Sequence, residues 1–384
     1  MKHVVILGGG FAGLNAAKAL RQGRVRVTLV DRHNHHVFQP MLYQVATAAL
    51  SPGDIASPIR SILRDSRNTE VLLDEARSVD LDGRRVALAS GRELEYDYLV
   101  VATGARHSYF GHDEWERYAP GLKELEDAFA VRRRILLAFE QAEQERDPAA
   151  QRALLTFVIV GAGPTGVEVA GALAEIKSYT LERDFRNIDP RDARVVVMEG
   201  GPRVLAAYPA ELSDKARRTL EDLGVDVRTD TMVTDISPDG VTAKGEFVPA
   251  RTVIWAAGNV ASPLLRTMGV PLDRQGRVPV GDDCTPPGHP EVFVLGDAAA
   301  FEQDGTLLPG TCPVAIQMGK YAASVIRREV SPYPPAERAR FRYFDKGQLA
   351  VIGRGRAVAD IGKAHFGGFV AWLLWLFVHI LYLA

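Results

Sequence analysis

Cysteine is nearly absent from this chain: there are two in 384 residues, Cys284 and Cys312. They form no CxxC, which excludes a thiolate metal cage and a local redox dithiol, and such sparing use fits a reducing compartment. An excess of one charge is also missing. Lys and Arg number 46 against 48 Asp and Glu, for a net charge of -2, so there is no basic footprint of a nucleic-acid binder. No charged leader precedes an apolar segment; Met1 and Lys2 run straight into the strand-like His3 to Leu7, and no secretory signal is expected. Long apolar runs are lacking except at the very end. What is there, 47% hydrophobic and 24% charged residues, is the composition of a globular protein rather than of a disordered or collagenous one. At about 150 residues per domain, the length predicts two to three domains.

The opening stretch is an apolar run, Lys2 to Leu7, then Gly8-Gly-Gly10-Phe11-Ala12-Gly13, then Ala- and Leu-rich sequence to Leu20. Strand, glycine turn and helix are followed by a second strand, Val25 to Val30, that ends in Asp31. This is the context in which GxGxxG signals a dinucleotide site. Gly8 makes the tight turn, Gly10 admits a pyrophosphate, Gly13 lets helix and strand pack, and Asp31 is placed for a ribose diol. The helix N-terminus offers free N–H groups to the phosphates. The grammar recurs: Leu154 to Val160 leads into Gly161-Ala-Gly163-Pro-Thr-Gly166, and Arg194 to Met198 ends in Glu199. Glu199 comes later than the usual ~20 residues, and a polar insertion at 181–192 with Pro190 accounts for the delay. An acid at this strand tip favours NADH over NADPH, a preference that Arg203 can soften. Two complete fingerprints imply two dinucleotides.

Three further segments bind the units together: Asp97 to Ala102 with Thr103-Gly104, Thr252 to Ala256 with Ala257-Gly258, and Glu291 to Gly296 with Asp297. They resemble the two-dinucleotide-binding-domain flavoprotein superfamily. That resemblance implies an α/β fold in which the first Rossmann-like unit holds FAD and the second, nested within it, holds NADH. It places Asp297 at the flavin's ribityl chain. The expected order is an FAD segment (1–112), a connector (113–150) carrying a charged helix from Lys123 to Glu145, an NADH unit (151–265) and a second FAD segment (266–330). A C-terminal region (331–384) follows, set off by Pro332, Pro334 and Pro335. The candidate FAD contacts are Gly8, Gly10, Phe11, Ala12, Gly13, Asp31, Arg32, Ala76, Thr103, Gly104, Asp297, Ala315 and Ile316. Those for NADH are Gly161, Gly163, Gly166, Glu199, Ala257 and Gly258.

The electron acceptor is the remaining question. Superfamily members that reduce disulfides carry a CxxxxC early in the FAD unit, and 13–63 contains no cysteine. Cys284 lies in a Pro/Gly-rich turn. Cys312 precedes Pro313 at a helix start, where a thiolate would be stabilised, and is the one candidate for a reactive thiol. The tail points elsewhere. Phe366 to Ala384 carries no formal charge. It can be a buried core helix, a helix just long enough to span a hydrocarbon core of roughly 30 Å, or one lying in the interface. The last is expected, with Trp372, Trp375 and Tyr382 at the headgroup boundary. Lys346, Arg354, Arg356 and Lys363 against Asp345 and Asp360 suit an anionic leaflet.

The segments Asp31 to Arg60, with His36-Val-Phe38-Gln39-Pro40 and Tyr43-Gln44, and Phe344-Asp345-Lys346-Gly347 to Ala359 resemble the type II NADH dehydrogenases, single-subunit NADH:quinone oxidoreductases. The resemblance implies non-proton-pumping transfer of two electrons from NADH to a membrane quinone, ubiquinone or menaquinone. It also implies docking on the bilayer surface, at the cytoplasmic face, and homodimers. His33, His35 and His36 lack carboxylate partners in the sequence, so no metal is expected. The family's AQxAxQ is replaced by Cys312-Pro313-Val314-Ala315-Ile316-Gln317, which leaves Gln317 in the quinone role and assigns the Ala315 and Ile316 N–H groups to the flavin edge. The resemblance assigns catalytic roles to Glu168, read as lying on its helix's first turn, and to Lys346. Two readings stand beside this one: reduction of a soluble acceptor such as a ferredoxin, and a slow NADH/FAD redox sensor at the membrane.

Overall fold

The computed structural model describes the chain except residues 182, 183, 335, 363 and 384, and leaves the side chains of 179 and 180 undescribed. Pro335, Lys363 and Ala384, and part of the 181–192 insertion, therefore fall outside the described residues. The elements that position the candidate sites are, in chain order, β1 (Lys2–Leu7), α1 (Phe11–Leu20), β2 (Val25–Asp31), β3 (Thr69–Leu73) and β4 (Tyr98–Val101). Next come α2 (Leu125–Gln144), β5 (Thr156–Val160), α3 (Pro164–Glu175), β6 (Arg194–Met198), α4 (Ala210–Asp222), β7 (Val225–Arg228) and β8 (Thr252–Trp255). Last are β9 (Val292–Val294), α5 (Cys312–Glu329), β10 (Gln348–Gly353), β11 (Arg356–Ile361), β12 (Ala364–Gly368) and α6 (Phe369–Leu383).

Contacts divide the chain into two compact units. The first comprises Met1–Val37, Ala56–Arg106 and Asn259–Asp345; the second comprises Phe38–Ile55, His107–Gly258 and Lys346–Ala384. Residues 113–150 lie in the second unit, and 331–345 lie with the first.

In the first unit the sheet runs β9-β4-β1-β2-β3, and every pairing is parallel. Val4, Val5 and Ile6 of β1 are fully buried, as expected of a strand covered on both faces by helices. On one face α1 meets α5 closely, because a Cβ at Gly319 would stand 2.2 Å from the Ala12 carbonyl oxygen. In the second unit the sheet runs β7-β6-β5-β8, again parallel. The two registers correspond: Leu7 pairs with Val30 just before Asp31, and Val160 pairs with Met198 just before Glu199. The late arrival of Glu199 is absorbed by a π-helical turn, Ile176–Thr180, and a 3-10 turn, Pro190–Asp192, outside the sheet. The charged connector helix forms as α2, its start closed by a capping box between Glu124 and Asp127.

The second unit ends in an antiparallel sheet, β10-β11-β12, and α6 packs on it. Here the expectation of one 19-residue helix is corrected. Residues 366–368 complete β12, Gly368 turns the chain at φ +80°, and α6 has 15 residues. At 1.5 Å per residue it is about 22 Å long, and among the described residues no helix is long and apolar enough to cross a membrane. Ala371, Trp375 and His379 of α6 are buried, one turn apart. Phe369, Val370, Leu373, Phe377, Ile380 and Leu381 are exposed. Trp375, expected at a headgroup boundary, is only 3% exposed, stacked on His379.

Candidate functional site

Each parallel sheet ends, at the carboxyl edge of its strands, in a glycine turn of the same construction. In the first unit Gly8 has φ +103°, and a Cβ there would stand 2.3 Å from the Ala102 carbonyl oxygen. At Gly13 a Cβ would meet the Gly8 oxygen at 1.9 Å, whereas at Gly10 it would meet nothing within 4 Å. In the second unit Gly161 has φ +99° and a Cβ there would stand 2.8 Å from Ala257 N, a Cβ at Gly166 would stand 2.0 Å from the Gly161 oxygen, and one at Gly163 would meet nothing within 4 Å. Two glycines in each turn are thus required by backbone contact, and one leaves open the side from which a pyrophosphate would approach.

The acids brace these turns. Asp31 accepts the N–H of Gly9 at 2.5 Å and of His33 at 2.7 Å. Glu199 accepts the N–H of Ala162 at 2.7 Å and of Gly201 at 2.7 Å. A carboxylate has about four lone-pair sites, so each keeps capacity for a ribose diol while tying its glycine turn to its own strand tip. Sequence reasoning found the acids and missed the bracing. It also missed His36, whose Nδ1 donates to the Gly9 carbonyl at 3.0 Å and whose ring is met edge-on by Phe11 at 4.9 Å. Burial depresses the His36 pKa and keeps the ring neutral. The rings of His33 and His35 stack at 5.5 Å.

Around the first turn, Thr103 follows β4, and its buried hydroxyl has no hydrogen-bond partner among the described residues. Gly104 beside it has φ +65°. Asp297 sits on a 3-10 turn, Gly296–Ala298, and lines a small cavity with Arg277, Gly310 and Val314. Gly310 must be glycine for Asp297 to sit there, since a Cβ would stand 2.9 Å from its Oδ1. Ala12 is buried in the first turn of α1, Arg32 is exposed just past β2, and Ala76 opens a strand paired with Arg85–Leu88. An unpartnered buried hydroxyl beside an open glycine cradle suits the polar pyrophosphate end of FAD, so the residues present fit that group. In the second unit Ala257 and Gly258 close β8. Gly258, at φ +74°, would clash with the exposed Phe110 ring if it carried a Cβ. Trp255 donates its indole N–H to the Ser108 carbonyl at 3.0 Å, a contact with no sequence signal. Arg203 reaches the Ala206 carbonyl in its own loop.

The structure bears on three expectations at α5. The helix starts at Cys312, so the Ala315 N–H donates to the Thr311 carbonyl at 3.1 Å and that of Ile316 falls beyond the first turn. The first-turn donors without an acceptor in the helix are those of Cys312 and Val314, Pro313 having none. Gln317 is engaged at both ends: Nε2 donates to the Phe344 carbonyl and Oε1 accepts the Phe344 N–H, each at 2.9 Å. Finally, burial pushes the Cys312 thiol up to about 12, with the Asp297 charge adding to it, so the helix start does not produce a thiolate. Cys284 is buried and shifted upward for the same first reason. With reactivity carried by the thiolate, both cysteines should resist alkylation by iodoacetamide at pH 7.5 until the protein is unfolded. Rapid labelling of Cys312 in the native state would contradict this.

Glu168 lies in the second turn of α3, not the first, beyond the strongest pull of the helix dipole. Burial raises its carboxyl well above the usual range, opposed only in part by the N–H of Val351. Tyr43 and Tyr208 lie close enough to feel its charge. Lys346 donates to the Tyr382 hydroxyl on α6 at 3.1 Å and so is tied to the C-terminal helix.

Two parallel sheets with matched glycine turns and braced acids define a pair of dinucleotide-binding units. A model of the pyridine nucleotide-disulphide oxidoreductase family matches residues 2–319. The chain is 47% identical to the type II NADH:quinone oxidoreductase Ndh of Mycobacterium tuberculosis, over 99% of this chain and 84% of that one. It is 29% identical to a type II NADH:quinone oxidoreductase of Staphylococcus haemolyticus, over 92% and 88%. The fold matches NDH2 of Plasmodium falciparum in complex with NADH at a TM-score of 0.92, with 20% identity, over 100% and 95% of the two chains. It matches a sulfide:quinone oxidoreductase of Aquifex aeolicus at 0.79. The chain belongs to the type II NADH:quinone oxidoreductases.

Proposed function

We propose that this enzyme oxidises NADH and delivers two electrons to a quinone at a membrane surface, with Glu168 as the group that supplies a proton to the acceptor. Bound FAD supplies the chemistry that no side chain here can provide, converting hydride donation by NADH into reduction of the quinone. The chain's own residues bind and orient. The turn at Gly8, Gly10 and Gly13 with Asp31, and the groups of Thr103 and Asp297, hold the flavin nucleotide. Gly161, Gly163, Gly166 and Glu199 hold NADH. Ala257 and Gly258 keep the edge of β8 low enough for a ligand to lie across it. Lys346, tied to α6, offers positive charge toward a reduced quinone, and Gln317 acts by pinning the segment that leads to Lys346.

The single observation that carries the Glu168 reading is its setting: a half-buried carboxyl on α3 whose ionised form is disfavoured by loss of solvent, with the Val351 N–H opposing this only in part, is suited to pass on a proton. The Glu168→Gln variant should bleach the flavin with NADH at the normal rate in anaerobic stopped flow. Its reoxidation by quinone should slow by about 10²-fold, the low end of general-acid contributions. Equal loss in both half-reactions would remove the role. Membrane attachment rests on α6, whose exposed side carries seven large apolar residues, Leu383 included, more than a soluble surface ordinarily shows in one strip. Docking at the cytoplasmic face and pairing into homodimers complete the proposal.

A further inference from the structure

Helix α3 carries Glu168, Gly171 and Glu175 on one face, at i, i+3 and i+7. Strand β10, the first of the docking sheet, lies along that face residue by residue. The Val351 N–H reaches the Glu168 carboxyl. The Ile352 carbonyl lies so close to Gly171 that a Cβ there would stand 1.7 Å from its oxygen. The Arg354 N–H is accepted by Glu175 Oε1, which also crowds Gly353. The spacings agree: seven helical residues rise about 10.5 Å and three strand residues about 10 Å, so the contacts stay in step. β10 is an edge strand, with N–H groups to spare, and its register with β11 shifts between Val351 and Gly353, opposite Gly171.

We infer that Glu175 is a positioning residue: by holding the Arg354 turn it keeps β10 in register on α3, and with it the Val351 N–H on Glu168. This rests on the proposed role of Glu168. Glu168 is half-buried in the second unit with Tyr43 and Tyr208 near enough to feel its charge, and among the described residues what acts on its carboxyl is loss of solvent and the Val351 N–H. Besides Glu168, the carboxylate acting on Tyr43 is Glu175 itself and the one acting on Tyr208 is Asp360. The Val351 N–H is therefore the contact through which a distant residue can tune Glu168. Losing it removes a bond that favours the ionised carboxyl, so the pH midpoint of the quinone half-reaction moves upward.

The test uses the full-length FAD-loaded enzyme and both half-reactions across pH. Glu175→Ala should leave flavin bleaching by NADH unchanged, slow reoxidation by a quinone analogue about tenfold, and shift its pH midpoint upward. Glu175→Gln keeps an acceptor for the Arg354 N–H and should restore the native rate and midpoint. An alanine variant with native rate and midpoint overturns the inference, as does a glutamine variant that fails as badly as alanine. If Glu168→Gln proves harmless to reoxidation, the Glu168 reading falls instead. The Glu175 brace is then judged by hydrogen exchange alone: faster exchange of the Val351 and Arg354 amides in Glu175→Ala supports it, and unchanged exchange overturns it.

Discussion

Gly13→Val should yield a protein that purifies without colour and stays colourless when FAD is added. The new Cβ would fall 1.9 Å from the Gly8 carbonyl oxygen, and neither partner is a flexible side-chain end. Relief requires α1 to move away from β1, and forced overpacking of this kind costs at least about 1–3 kcal/mol. Moving the helix also withdraws the N-terminal N–H groups from the phosphate position. The mirror variant, Gly166→Val, meets the Gly161 oxygen at 2.0 Å. It should give a yellow protein of normal flavin content that NADH no longer bleaches, while dithionite still does. Absorbance at the flavin band, flavin content per chain and circular dichroism check both. A Gly13→Val protein with full flavin, or a Gly166→Val protein that NADH reduces normally, would refute the assignment of the two turns.

Placing aspartates on the exposed side of α6, as Phe377→Asp with Ile380→Asp, should release the enzyme from vesicles. The two side chains are 67% and 57% exposed, so the fold does not need their apolar surface, yet a bilayer would. Each buried side chain contributes about 2 kcal/mol, and the pair about 4 kcal/mol, roughly 10³-fold in partition before the cost of burying charge is counted. Sedimentation with vesicles should show the loss, quinol formation in liposomes should fall, and reduction of ferricyanide by NADH should persist. Ala371→Asp, on the buried side of the same helix, should instead lower the melting temperature. Retention of the double variant on vesicles would end the docking proposal for this face.

These outcomes turn on features of unequal legibility. The glycine turns could be read directly, because every contact that makes Gly8, Gly13, Gly161 and Gly166 necessary is made within one strand–turn–helix unit or with a strand that its apolar run announces. Glu199 could be found despite its long spacing, because it ends a strand and strand ends are visible in sequence. The state of Cys312 could not. Its position at a helix start suggested a stabilised thiolate, but packing decides solvent access, and here burial wins over the helix terminus. The start of α5 at Cys312 and Pro313 could be read, but the four-residue step that commits the Ala315 N–H to Thr311 was not drawn from it. The family pattern assigns Gln317 to the quinone, and only the return of the chain at Phe344 shows that both ends of its amide also hold backbone.

Local pattern alone determined the two Rossmann-like units, their acids, the lack of an early CxxxxC pair and the apolar tail, because periodicity and turn residues act over a few positions. Contacts between residues far apart in the chain decided the rest. Glu168 became a carboxyl shifted upward by loss of solvent because the fold lays β10 along α3, and the apolar tail became a short helix with one covered and one open side because β12 claims its glycines. Burial and hydrogen-bond pairing are properties of what the fold brings beside a residue, and the residue's own neighbours in the chain do not specify them.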